Sequence, residues 1–458
     1  MLKIKRVKAN LLKLILVFSL ILTFVFGCFK SYIETSAAFE GVKVSISSDT
    51  YILPVAELRA TKTYPDVIAI ENEYVKVSVV PNRGRLIFDY LFKPTGSSKL
   101  YTNTKPRPLK TPGGYIVEFG GYYLSLPWNP RARQPYDLEY EVLKEGADVA
   151  ELYLWAEDPI NHAFMEAWVS VTQHSSIVLT KVRISNRTEK DIFFEFGDCA
   201  VIAIGGEVTA NSAFVVPVSE VIIGQSKDSW MGTEGDVVSW PQVWADCGNF
   251  AHFGSFSTEV AKMSAPFAGI INYDTGDALV KLWEPADFFD GLRIWSWGED
   301  YSDVRGAAPT ANFENYKEII SLFPGESVDF FTYLYALKDM RNITMANTAF
   351  AGWVATDRQF YRIDADKPIT IQSQLGSTED YENINLTVSL TDSDENILKQ
   401  VINEQVSGIC PAKPYNGAWI IKFEDIMVEP GEYSFKLELS DAEGKLIFTV
   451  ESLPITIE

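Results

Sequence analysis

The sequence predicts an all-β chain built from antiparallel sheets. Three observations carry the prediction: short runs alternating apolar and polar residues, turn signals between them, and an aromatic content of 13%. After the N-terminal segment no stretch keeps a helical period over a convincing length. At 458 residues the chain exceeds the roughly 250–300 at which a single core stops growing, so two or three domains are expected.

Residues 1–27 read as a signal peptide of lipoprotein type. Lys3, Lys5, Arg6, Lys8 and Lys13 precede the apolar run LILVFSLILTFVFG, and no acidic residue interrupts it. The run closes on Val25-Phe26-Gly27-Cys28, which resembles the bacterial lipoprotein signal, where a small residue precedes a Cys that becomes lipid-modified; Phe26 departs from that pattern. Lipidation at Cys28, cleavage at Ser36-Ala37-Ala38 and an uncleaved anchor stand as three readings. From Leu14 the apolar stretch is shorter than the ~20 residues of a spanning helix. Each reading puts the folded chain outside the cytoplasm, at the cell surface or in the periplasm, with the membrane touched only through the N-terminal anchor.

Without residues 1–27 the chain keeps 35 basic residues against 61 acidic, a net charge of −26. Such a surface repels phosphate backbones and anionic headgroups, which excludes a nucleic-acid partner.

Residues 28–50 are polar and expected to be a mobile linker. Strands follow at 74–80 (YVKVSVV), 115–119, 138–143, 149–155, 167–172, 176–185 and 192–196, all with period-two alternation. Pro-Thr-Gly at 94–96, Pro-Gly-Gly at 112–114 and Lys-Glu-Gly-Ala-Asp at 144–148 separate them. Residues 205–265 alternate weakly and cluster aromatics in WMGTEGDVVSWPQVWADCGNFAHFG, the composition of functional loops. Strand patterns return at 267–273, 278–284, 291–297 and 327–337. A boundary falls near 340–365, and residues 360–458 carry six or seven strand patterns at the spacing of a small immunoglobulin-like β-sandwich.

Besides Cys28 the chain has Cys199, Cys247 and Cys410. At most one internal disulfide forms, with Cys199–Cys247 the favoured pair and three buried thiols the alternative. Neither a Cys-x-x-Cys nor a His-x-x-x-His spacing occurs, so no metal site and no cofactor are expected.

Three pieces in order form a pattern: Glu71-Asn72-Glu73-Tyr74 with Pro81, Gly84-Arg85 and Lys93-Pro94-Thr95-Gly96; Asn186-Arg187-Thr188 after a strand; and Leu322-Phe323-Pro324-Gly325-Glu326-Ser327 before another. The combination resembles galactose-mutarotase-like proteins of branches outside the true aldose epimerases. It covers about residues 50–340. The resemblance implies a large antiparallel β-supersandwich over residues 51–345 with a sugar on its concave face, the immunoglobulin-like sandwich being an added module.

The family supplies a Glu and a His as base and acid on opposite sides of the anomeric centre, each within ~3 Å of the proton it moves. Here the run after the central turn, NRTEKDIFFEFGDCAVIAIGG, has no His, and counting puts the His position at or near Cys199. His252, beside Phe250 and Phe253, is the first-choice replacement. His162 is read as a loop residue, with a site role at the sheet mouth as the second reading, and His174 is read as a solvated turn residue. Glu299 in IWSWGEDY occupies roughly the place of the family's base, with a surface-loop carboxylate as the plainer reading; Glu314 and Glu318 are fallbacks.

Aromatic faces stack on pyranose rings while polar groups take the hydroxyls. Trp128 beside Arg131, Trp240 and Trp244 in SWPQVW, and Trp295 and Trp297 on one face of a strand are therefore candidate sugar contacts. Arg85 is read as bracing its turn, with substrate binding as the second role. Trp155 and Trp168 are read as core. The expected function is an extracytoplasmic carbohydrate-binding protein in glycan capture or uptake. An aldose 1-epimerase-like isomerase using His252 and Glu299, and a structural cell-surface protein, are the alternatives.

Overall fold

A computed structural model describes residues 41–47, 66–103, 109–111, 114–116, 119–125, 137–226, 232–241, 254–298, 309–363, 368–426 and 428–458. As the alternation predicts, the described chain is nearly all strand. Every named strand pair is antiparallel except Phe360–Tyr361 with Ile455–Ile457.

A 12-stranded sheet and an eight-stranded sheet hold residues 43–337 and share one core. Alternation decides which side chains enter it. In Ala163–Thr172 the residues Ala163, Met165, Ala167, Val169 and Val171 are buried while their neighbours stay half-exposed. Aromatic rings fill the centre: Phe196 lies 5.1 Å from Phe330, and Phe288 stacks on Phe330 at 4.6 Å.

A charged cluster is buried between the two sheets. Lys281 Nζ sits 2.5 Å from Asp198 Oδ1 with neither side chain exposed, and Tyr122 Oη donates to Asp198 Oδ2 at 2.9 Å. A second buried pair joins Lys99 to Asp277 at 2.5 Å. Burial pushes the Lys99 ammonium below its usual range, and Asp277 opposes that shift.

The motif residues are the hydrogen-bonding parts of turns. Asn72 Oδ1 accepts from the backbone N–H of Tyr74 and Val75, closing the hairpin between Val67–Glu71 and Val75–Val80. Its Nδ2 donates to the carbonyls of Thr172 at 2.6 Å and Ser175 at 2.7 Å, tying this hairpin to a turn of the other sheet. Lys93 Nζ donates to the Asn72 carbonyl, and Thr95 Oγ1 accepts from Lys99 at 2.9 Å. Asn186 does the same at the other end: Oδ1 accepts from Thr188, and Nδ2 donates to Leu322 O at 2.9 Å. The Asn186 backbone exchanges bonds with Gly325 and Glu326, so the second and third motifs meet. Gly84, at φ +59°, returns its N–H to Pro81 O and lets the chain reverse into Arg85–Phe92.

Past residue 340 a four-stranded and a six-stranded sheet share a second core, from Phe350 to Ile457. Strands Met345–Ala346 and Phe350–Thr356 pair into the four-stranded sheet, so the second sheet pair starts on the N-terminal side of residue 360. It is fastened to the first pair at Ser176 N–H to Thr378 O (2.8 Å) and by Tyr74 Oη to Asp380.

Candidate functional site

Five neighbouring strands of the 12-stranded sheet place one residue each in a single row. Arg85 of Arg85–Phe92 lies opposite Tyr123, Tyr123 opposite Cys199, Cys199 opposite Glu314, and Glu314 opposite Arg293. Directly opposed residues of antiparallel strands project to the same face. Phe196, Ala200 and Phe313 alternate with the row and enter the shared core, so the row occupies the face turned away from the second sheet. Beside it Tyr101, Tyr123, Cys199, Val201 and Ala203 form a separate small cluster.

Glu314 is the centre of this row. It is fully buried, with Trp295 Nε1 donating to Oε2 at 2.9 Å and Cys199 Sγ 3.8 Å from Oε1. Trp295 and Trp297, two residues apart on Gly291–Trp297, stack at 5.3 Å with planes 13° apart. Asn312 stands opposite Trp295 in register, fully buried, and neither its amide nitrogen nor its oxygen has a hydrogen-bond partner among the described residues. Arg85 is 2% exposed; its guanidinium carbon lies 4.0 Å from the Tyr123 ring centroid, and Nε and Nη1 lack partners among the described residues. Unsatisfied buried polar atoms cost about 1–3 kcal/mol each, so such groups call for a reason. Chemically the face offers a carboxylate, two cations, an amide and paired indoles.

The sequence-predicted residues divide accordingly. Arg85, Trp295 and Trp297 share this face. Trp240 is 6% exposed and packs 5.6 Å from Phe256 in the core, because the strands on either side bury the segment it belongs to. His162 is an exposed hairpin residue at φ +58°, with Nδ1 3.2 Å from Glu157 Oε1, on the other sheet and apart from the row. His252, Glu299, Trp128, Arg131, Trp244, Cys28 and Cys247 lie outside the described residues. Cys199 is buried, and Cys247, its expected disulfide partner, is among the residues not described. Trp155 and Trp168, read as core, instead project from the outer face of the eight-stranded sheet, because alternation fills the inner face with Leu152, Leu154, Ala167 and Val169. The fallback Glu314 is the carboxylate of the row; Asn312 and Tyr123 carried no sequence signal beyond their place on a strand.

Among the described residues Glu73, His174 and Asp380 bring three ligating atoms within 4.8 Å of one another. They pair mutually, His174 Nδ1 lying 2.5 Å from Glu73 Oε1 and 3.7 Å from Asp380 Oδ2, across the seam between the two sheet pairs. His174 is thus a turn residue whose Nδ1 lies beside Glu73 and Asp380.

No family model and no curated protein matches the chain. Solved structures do. A TPR-domain containing protein from Parabacteroides distasonis matches at 13% identity over 66% of this chain and 54% of that one, with a TM-score of 0.49, so the chain spans about half the length of that protein. The chain is also similar to galactose mutarotase-like proteins. One from Clostridium acetobutylicum matches at 12% identity over 65% of this chain and 99% of that one, TM-score 0.46. Another from Lactobacillus casei matches at 11% identity over 59% and 99%, TM-score 0.41.

Proposed function

We propose that this chain is an extracytoplasmic carbohydrate-binding protein, serving glycan capture or uptake through the face that carries Glu314. One observation supports the reading above others. Buried polar atoms of Arg85 and Asn312 that have no partner among the described residues share a sheet face with a carboxylate and a stacked indole pair, the combination that a pyranose meets with its hydroxyls and its C–H face. We take residues 51–345 as the sugar-binding supersandwich and residues 360–458 as an immunoglobulin-like module that extends it. The basic and apolar segment 1–27 with Cys28 supports export and anchoring.

An aldose 1-epimerase needs its acid and base on opposite sides of the ring, and Cys199 Sγ and Glu314 Oε1 are 3.8 Å apart, too close to flank a sugar, so on this face the pair serves binding and not epimerisation.

The test is thermal unfolding of the full chain against a panel of neutral mono- and oligosaccharides. A ligand at 100 times its Kd stabilises by about 2.7 kcal/mol. At least one sugar should raise the midpoint, and Trp297→Ala and Glu314→Gln should abolish the rise. A panel without effect, or variants that respond like the parent, would overturn the reading.

A further inference from the structure

The outer face of the eight-stranded sheet carries a second aromatic site. Tyr153, Trp168, Lys181 and Phe331 form one row across four strands, Tyr153 opposite Trp168, Trp168 opposite Lys181 and Lys181 opposite Phe331. Tyr153 stacks on Trp155 at 4.8 Å and lies 5.1 Å from Trp168, so three rings stand together. All are half-exposed on a strand face where small polar residues would satisfy the sheet equally well. Contiguous aromatic surface held in water marks an interaction site more often than a structural need.

Between Trp168 and Phe331 opens a cavity of about 320 Å³, lined also by Glu151, Ser170, Leu179 and Lys181. Its walls are two rings separated by two strand spacings, ~9.6 Å. Lys181 Nζ lies 5.1 Å from the Trp168 ring and 5.9 Å from the Phe331 ring and supplies a donor. Glu151 supplies an acceptor and Ser170 serves as either. A second cavity of about 440 Å³ follows along the same strands, lined among others by Glu166, Arg183, Asn186 and Arg187. Glu166 and Arg183 are each two residues from the Trp168–Lys181 row, a step of ~6.8 Å. Two cavities set along the same strands suit successive sugar units.

The charge selects the ligand class. Glu139, Glu141, Glu151, Glu166, Glu284 and Asp329 lie on or beside this face, against Lys144, Lys181, Arg183 and Arg187. The acidic excess rejects polyanions, and paired donors and acceptors fit hydroxyls.

We propose that this outer face is a second glycan site that holds a neutral oligosaccharide of at least two pyranose units, the first against Trp168 and the next beside Glu166 and Arg183. It uses no residue of the Glu314 face, and the two sites stand or fall separately.

The experiment is isothermal titration of the full chain with maltose-, cellobiose- and xylobiose-series oligomers of one to six units, with a galacturonate hexamer as the anionic control. One neutral series should bind more tightly with each added unit up to at least two. Trp168→Ala should weaken that binding tenfold or more, Trp168→Phe should restore most of it, and Trp297→Ala should leave it intact. The hexagalacturonate should not compete. Matching melting midpoints of the variants exclude misfolding. Absence of length-dependent binding, parental affinity in Trp168→Ala, or loss only in Trp297→Ala would each overturn the proposal. So would a Trp168→Ala variant whose sole change is dissociation of a dimer, since the face would then be a subunit contact.

Discussion

Cys199 and Glu314 face each other across adjacent strands, with Sγ 3.8 Å from Oε1 and both side chains buried. Counting along the chain puts the histidine of the galactose-mutarotase-like pattern at or near this thiol. A thiol against a carboxylate cannot reach both sides of a ring, so this pair does not supply an epimerase's acid and base. On the binding reading, polarimetry on several aldoses should show no mutarotation above the buffer rate. A catalysed rate lost in Glu314→Gln would restore the enzyme reading.

The same burial sets the reactivity of Cys199. Disulfide exchange requires an accessible thiolate, and Cys199 is 1% exposed. Titration with a disulfide reagent should find equal numbers of fast native thiols in the parent and in Cys199→Ala. After denaturation the variant should show one thiol fewer. A native difference between the two would mean that this face opens.

Much of the fold was legible because period-two alternation reports burial directly. Ser327–Leu337 falls where the pattern puts it, and Ala163–Thr172 contains the expected 167–172 and starts four residues earlier. Alternation does not say which face meets a second sheet, and a Trp reads as core on either. That is why Trp155 and Trp168 read as core, while Trp240 stands in the turn after Val237–Ser239, as a loop residue should, but in a turn that is buried. The row from Arg85 to Arg293 could not be read at all, since it depends on registers between strands whose paired residues lie up to 115 apart in the chain, as Cys199 and Glu314 do. Most residues of the motifs that carried the family resemblance prove to be turn chemistry: Asn72 closes a hairpin, and Asn186 and Gly325 hold the turns that cross between the two sheets, while Arg85 of the first motif stands in the row.

That turn chemistry is measurable. Asn72 makes four side-chain hydrogen bonds, two given and two accepted, and is fully buried. Asn72→Ala strands two carbonyls and two N–H groups, each costing about 1–3 kcal/mol less any solvation regained. Urea unfolding should show a loss of roughly 3 kcal/mol or more. A loss below about 1 kcal/mol would mean that the hairpin closes without it.

The buried Lys281–Asp198 pair makes a stronger demand. Removing one partner of a buried pair leaves an uncompensated charge and costs about 3–5 kcal/mol. Lys281→Met should lose that much, since Asp198 would keep only Tyr122 Oη at 2.9 Å, Thr332 Oγ1 at 3.3 Å and the Asn315 N–H at 3.3 Å. Adding Asp198→Asn should recover a large part, because no buried charge remains. Equal stability of the single and double variants would show that the charges are not coupled.

The pH dependence of the outer face follows from Asp329. Arg183 donates to both of its oxygens, at 2.7 Å each, and this bidentate contact holds the Asp329 carboxyl below its ordinary value of 3.8. A carboxylate whose folded pKa is depressed stabilises the protein above the unfolded value and loses that contribution as pH falls through the folded one. The pair is partly exposed, so solvent screening limits it to about 0.2–1 kcal/mol. Asp329→Asn should therefore be slightly less stable than the parent at pH 7. The gap should start to close below about pH 4 and be gone in stronger acid. Added salt at pH 7 should narrow it too. Chemical-denaturation midpoints of both proteins from pH 2 to pH 8 measure this, and a gap constant across that range would show that the bidentate pair contributes no charge-dependent stability.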